Sequence, residues 1–145
     1  MSVTKIFKFV FVFSGMRYVF APDLQLRAEE IARHLYPHVK IHRIRCLRSF
    51  GSSSRGTIAR CHALGKLMQQ AMGTTAFYAL EFISERFDRM SEEEQDKVII
   101  HELMHIPFNF GGGFKHHDHV TDKHVEKMFI EFKRKIGENV KRNWF

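Results

Sequence analysis

Leu24, Ala28, Ile31 and Leu35 recur every three or four positions, the interval that gathers apolar side chains on one face of a helix. Pro22 suits the first turn and Pro37 stops the run, so APDLQLRAEEIARHLYPHV is predicted to form the first helix. In VKIHRIRCL the period changes. Val39, Ile41, Ile44 and Cys46 alternate, imperfectly, with basic residues, as a half-exposed strand would. RSFGSSSRGTIAR has the Gly and Ser content of a loop, with a further strand opening near Thr57-Ile58-Ala59. GKLMQQAM reads as a short helix and TTAFYALEFI as a buried strand.

The clearest start signal lies in SEEEQDKVIIHELMHI. Ser91 is placed to cap the backbone while Glu94, three residues on, reaches back to complete a capping box. Glu92 and Glu93 add negative charge where the helix dipole favours it. The last helix is expected to begin at Thr121, with Val120 and Val125 as a hydrophobic staple, and to end at Gly137. Val125, Met128, Phe129, Phe132 and Ile136 form its apolar stripe. Helices and strands mix without regular β-α alternation, which predicts an α+β fold: a small sheet backed by helices.

Composition adds bounds. A chain of 145 residues that is 44% hydrophobic, with 15 Phe, suits one packed domain spanning 1–145. Residues 1–15 form a candidate N-terminal extension, with Met16 an alternative start. The apolar run Ile6–Phe13 is interrupted by Lys8 and too short for a membrane span, so it reads as a buried strand and no membrane partner is expected. Cys46 and Cys61 suit two buried strand thiols, with the cytoplasm as the default compartment. The formal charge of +7 favours acidic partners, nucleic acid above all.

One segment carries chemistry. HELMHIPFNFGGGFKHHDHV, residues 101–120, holds five histidines and opens with H-E-x-x-H. On a helix, His101 and His105 share a face one turn apart and can reach one ion. Zinc takes neutral imidazole nitrogens; a catalytic site uses three protein ligands and keeps a position for water. Glu102 is then placed to act as general base rather than as a ligand. An isolated match of this kind is more often an accident than a metal site. Here it sits on a capped helix, a glycine turn at Gly111-Gly112-Gly113 can reverse the chain, and HHDH follows. For the third ligand His117 ranks first, then His119, with His116 pointing away and Glu126 on the next helix below them. Asp118 is a candidate acceptor for a ligand imidazole, and His124 reads as an exposed helix residue. Phe108, Phe110 and Phe114 are read as core rather than as cleft.

Together, RSFGSSSRGTIAR, ISERFDRMSEEEQDKVIIHELMHIPFNFGGGF and HVTDKHVEKMF resemble the archaeal and phage metallopeptidases, distant relatives of the SprT-like zinc proteases. The resemblance covers roughly Arg17 to Phe132. It implies a zincin-type fold, zinc held by His101, His105 and a downstream histidine, and Glu102 as the catalytic glutamate.

The expected function is therefore a zinc-dependent metallopeptidase acting on protein or peptide substrates. The alternatives are a nucleic-acid-binding protein with a structural, four-ligand zinc site, and a DNA-associated protease; a zinc hydrolase of non-peptide amides ranks lower. Arg43, Arg45, Arg48, Arg55 and Arg60 surround the Gly/Ser-rich turn. Arg48 and Arg55 are the candidate phosphate contacts, although a solvated loop is the plainer account.

Overall fold

A computed structural model of the chain describes residues 15–144. The strand expected at Ile6–Phe13 lies outside them. The fold is α+β. Four strands form one mixed sheet in the order β1-β2-β4-β3: β1 (Arg17–Phe20), β2 (Ile44–Phe50), β3 (Ala59–Ala63) and β4 (Tyr78–Ile83). β4 runs parallel to β2 and antiparallel to β3, and β1 pairs antiparallel with β2. The helices are α1 (Pro22–Leu35), α2 (Lys66–Met72), α3 (Ser84–Phe87), α4 (Glu92–Met104) and α5 (Asp122–Asn143).

The core has one address. Ile44 and Cys46 of β2 and Tyr78, Leu80 and Phe82 of β4 cluster with Leu24, Ala28 and Ile31 of α1 and with Ile99, Ile100 and Leu103 of α4. Val125, Phe129 and Phe132 of α5 complete it. Each fully buried Leu, Ile or Phe here contributes ~1.5–3 kcal/mol relative to exposure. Polar ties fix the helices on this apolar bed. Arg27 of α1 donates to Asp96 (2.6 Å) and to Gln95 (2.8 Å) of α4, which sets the carrier helix of the histidines against its neighbour. The buried Gln25 amide donates to Ile44 O (3.2 Å) and accepts from Cys46 N (2.8 Å), so α1 satisfies the β2 backbone beyond the end of β1.

Four details depart from the sequence pattern. Residues 41–43 form a 3-10 turn rather than strand, held by Arg43, whose guanidinium reaches Ala76 O (3.1 Å) and Thr75 O (2.8 Å); β2 begins only at Ile44. β1 has no counterpart in the pattern because all four of its residues are exposed on a sheet edge. α5 runs through Gly137 to Asn143. A glycine inside a helix costs only ~1 kcal/mol, and this stretch is pinned by Lys135 Nζ to His34 O (2.7 Å) and by Asn139 against His34 Nε2 (3.0 Å). Finally, Cys61 is only half-buried. Cys46 and Cys61 both stand level with Leu80, one on each side of β4, hence ~9–10 Å apart, beyond the ~7 Å reach of a disulfide.

Candidate metal centre

The centre is built from the C-terminal end of α4 and the chain that returns to it. Both capping-box bonds at the start of α4 are present, Glu94 N to Ser91 Oγ and Ser91 N to Glu94 Oε2, each at 3.2 Å. Thirteen residues later the helix stops at the His105 C-cap, with Pro107 following. His101 and His105 lie on one face with ring centroids 5.0 Å apart. The negative end of the helix dipole falls where a cation would sit.

His105 is 1% exposed and tied twice to the returning chain. Lys115 N donates to His105 O (2.8 Å), and His105 Nδ1 donates to Lys115 O (2.5 Å). The carbonyl fixes the tautomer and leaves Nε2 as the free donor. Phe114 stacks on the same ring at 4.6 Å and 14°. Two residues on, His117 arrives with its ring 4.9 Å from His105 and 5.8 Å from His101.

The glycine turn makes that return possible. Tyr78 Oη accepts from Gly112 N (2.9 Å) and donates to Gly113 O (2.8 Å), while Gln69 Nε2 donates to Leu64 O (2.7 Å) and Gly111 O (3.0 Å). Gly112 has φ +95°, and a Cβ there would sit 2.5 Å from Leu64 O, so both conformation and space demand glycine. Buried Phe110, read as core, does pack there, edge-on to Tyr78 at 4.9 Å. Phe114 does not fit that reading: it is partly exposed and lines the cleft beside the histidines.

One nitrogen from each of His101, His105 and His117 lies within 4.8 Å of the others. A tetrahedral ion with bonds of ~2.0–2.1 Å needs its nitrogens ~3.3 Å apart, so small side-chain rotations close the cage. Burial, reinforced by the neighbouring imidazoles, holds the His101 pKa below its usual value. Burial does the same for His105 and outweighs the opposing bond to Lys115. Both therefore favour the neutral form that ligation requires. The donor set fits a zinc-like ion. Glu102, 5% exposed, faces the same cleft, and burial pushes its carboxyl up to about 7.

The other candidates are elsewhere. His119 is exposed and sits 3.7 Å from Asp118, which thus turns to His119 rather than orienting a ligand. His116 is exposed and its carbonyl accepts from His119 N (3.0 Å). Glu126 is held by Lys97 at 2.9 Å. His124 is exposed on α5, as expected. Of the arginines, Arg48 forks onto Asp23 (2.7 and 2.9 Å) and also reaches Asp88 (3.0 Å), which engages the donors a phosphate would use. Arg43 is bound to the Thr75 and Ala76 carbonyls and Arg60 faces Glu81 at 3.5 Å; Arg55 stands exposed on its loop. The sequence pattern gave no sign of Tyr78, Gln69 or the cleft-lining Cys61 and His62, which reach the site only through the tertiary fold.

The sequence pattern of the family described as "Putative phage metallopeptidase" matches residues 16–141. The chain belongs to that family. No curated protein matches it, and no solved structure does. As a member of the phage metallopeptidase family it is expected to be a metal-dependent hydrolase of peptide bonds, and its small mixed sheet with the histidine helix packed on one face is consistent with a zincin-like architecture. Among the described residues no helix of the chain is long and apolar enough to cross a membrane.

Proposed function

We propose that the chain is a zinc-dependent endopeptidase in which His101, His105 and His117 hold the metal and Glu102 is the general base. The observation that carries this reading is the cluster of three imidazoles, rather than four protein donors, beside a buried carboxyl raised to about 7. Three ligands leave a position for water, as catalytic sites do and structural ones do not. When bound, zinc supplies a Lewis acid at the point where the scissile carbonyl is polarised.

The chain's own residues supply the rest. Glu102 accepts the proton of the attacking water on a carboxylate oxygen and passes it to the leaving amine nitrogen. The cleft wall opposite is β3, paired only with β4 among the described residues, so its outer backbone groups are open to an extended peptide. An adjoining cavity of about 400 Å³, lined by Ile58, Met90 and Val98 together with Glu94, Lys97 and Asp122 and sharing His101 and Glu102 with the cleft, has room for a substrate side chain. The reading as a nucleic-acid module with structural zinc has less support, because the cluster has three members and Arg48 is engaged in ion pairs.

The test is peptide cleavage with and without a chelator, in wild type and Glu102→Gln. The variant is expected to keep one zinc per chain while turnover falls by at least 10²-fold, the lower range for a lost general base. Equal turnover in the two proteins sinks the assignment.

A further inference from the structure

The metal cleft does not end at the metal. Three cavities follow β3 in sequence: the one beside Gly56 to Ala59, the cleft itself, and a third of about 430 Å³ at the far end of the strand. The first shares Thr57, Ala59, His101 and Glu102 with the cleft, and the third shares His62. The third lies over the other face of the sheet: its His62 and Ala79 alternate with Cys61 and Leu80, which face the helices, so cleft and groove meet at the β3 edge, which pairs only with β4 among the described residues.

The third cavity is apolar. Leu64, Met72, Phe77 and Ala79 line it. Arg43 lies over the Phe77 ring at 5.0 Å, and its bonds to the Thr75 and Ala76 carbonyls hold that wall in place. On the flank, α2 exposes Leu67, Met68 and Met72, a run of large apolar side chains on a seven-residue helix. Exposed apolar surface of this kind marks a binding face, and methionine adapts its shape to varied side chains. The shared strand edge names the occupant: a chain paired to β3 sends alternate side chains to the two faces of the sheet, toward the metal cleft and toward this groove. A chain extended along β3 at ~3.4 Å per residue passes from the metal to this groove in roughly three residues.

We infer that the groove beside α2 is a second anchoring site for the polypeptide substrate, taking an apolar side chain roughly three residues from the scissile bond. The inference rests on the peptidase reading above and deepens it. The site selects extended or unfolded polypeptides with an apolar residue at that spacing, and it disfavours short or uniformly polar ones.

The experiment uses the full zinc-loaded chain and a series of peptides. Leucine or glycine is placed two to five residues from the cleaved bond, on either side. One leucine position is expected to raise kcat/KM about tenfold over glycine, the scale of one well-filled apolar pocket. In Met72→Glu, a change at a residue 61% exposed and therefore compatible with folding, that ratio is expected to fall to about 1. A wild-type protein that cleaves without preferring any leucine position, or a preference unchanged in Met72→Glu, overturns the groove and leaves the peptidase intact. Fluorescence anisotropy of a labelled leucine peptide on zinc-loaded Glu102→Gln separates the two readings. Binding weakened about tenfold by Met72→Glu, with no cleavage by wild type, keeps the groove and removes the peptidase; binding that ignores Met72, or none, removes the groove.

Discussion

Two regions deliver the three imidazoles, and they do so by opposite means. His101 and His105 come from α4, where local hydrogen bonds, the capping box and the packing of Ile99, Ile100 and Leu103 fix their positions. His117 comes from a segment without regular structure, held in place by Tyr78, Gln69 and both the ring and the backbone of His105 itself. The first pair is built by near neighbours in sequence. The third ligand depends on a glycine turn held by side chains 34 and 42 residues upstream of that turn. Rigid geometry can thus come from a helix or from a few well-placed donors, but only the former leaves a mark in the local sequence.

This contrast can be broken from the helix side first. His105→Ala removes a ligand and also the acceptor's partner at Lys115 O. Zinc per purified chain is expected to fall from about 1 to near 0, because a closed set of at least three ligands is needed. Metal analysis after dialysis decides it, and retention of stoichiometric zinc would show that the ion sits elsewhere.

The loop side should yield by degrees. Tyr78→Phe keeps the ring and its edge contact with Phe110 but leaves Gly112 N and Gly113 O without their partner. Losing such second-layer bonds typically costs 10–100-fold in metal affinity. Competition against a chromophoric chelator should show that loss, together with a stability decrease of ~0.5–1.5 kcal/mol per lost, partly buried hydrogen bond. Unchanged affinity alongside lowered stability would mean that Tyr78 supports the fold without positioning His117. The smallest effect is expected from His119→Ala. Its side chain is 73% exposed, so zinc affinity and turnover should stay within about twofold of wild type; a larger loss would give His119 a role that His117 holds here.

The same division explains what could be read from the sequence. Ser91 and Glu94 announced α4, and Pro22 and Pro37 bracketed α1, because each signal acts within a turn of the residue that carries it. The histidine pair was legible for the same reason. β1 was not, since four exposed residues on an edge carry no alternation. Gly137 misled, because its cost is small beside the tethers of Lys135 and Asn139 to α1. Among His116, His117 and His119, extended periodicity could only rank; the discriminating contacts come from α2 and β4. Arg48 shows the limit from the other side. A run of arginines offers a phosphate surface or, more plainly, a solvated loop, and only the fold reveals that Asp23 and Asp88 face Arg48 from α1 and from just beyond α3.

The paired bonds between His105 and Lys115 involve only main-chain atoms at position 115. The residue there is thus structurally anonymous. Any amino acid with an amide hydrogen serves equally well, and only proline is forbidden, since it alone would strike out the donor while leaving the carbonyl.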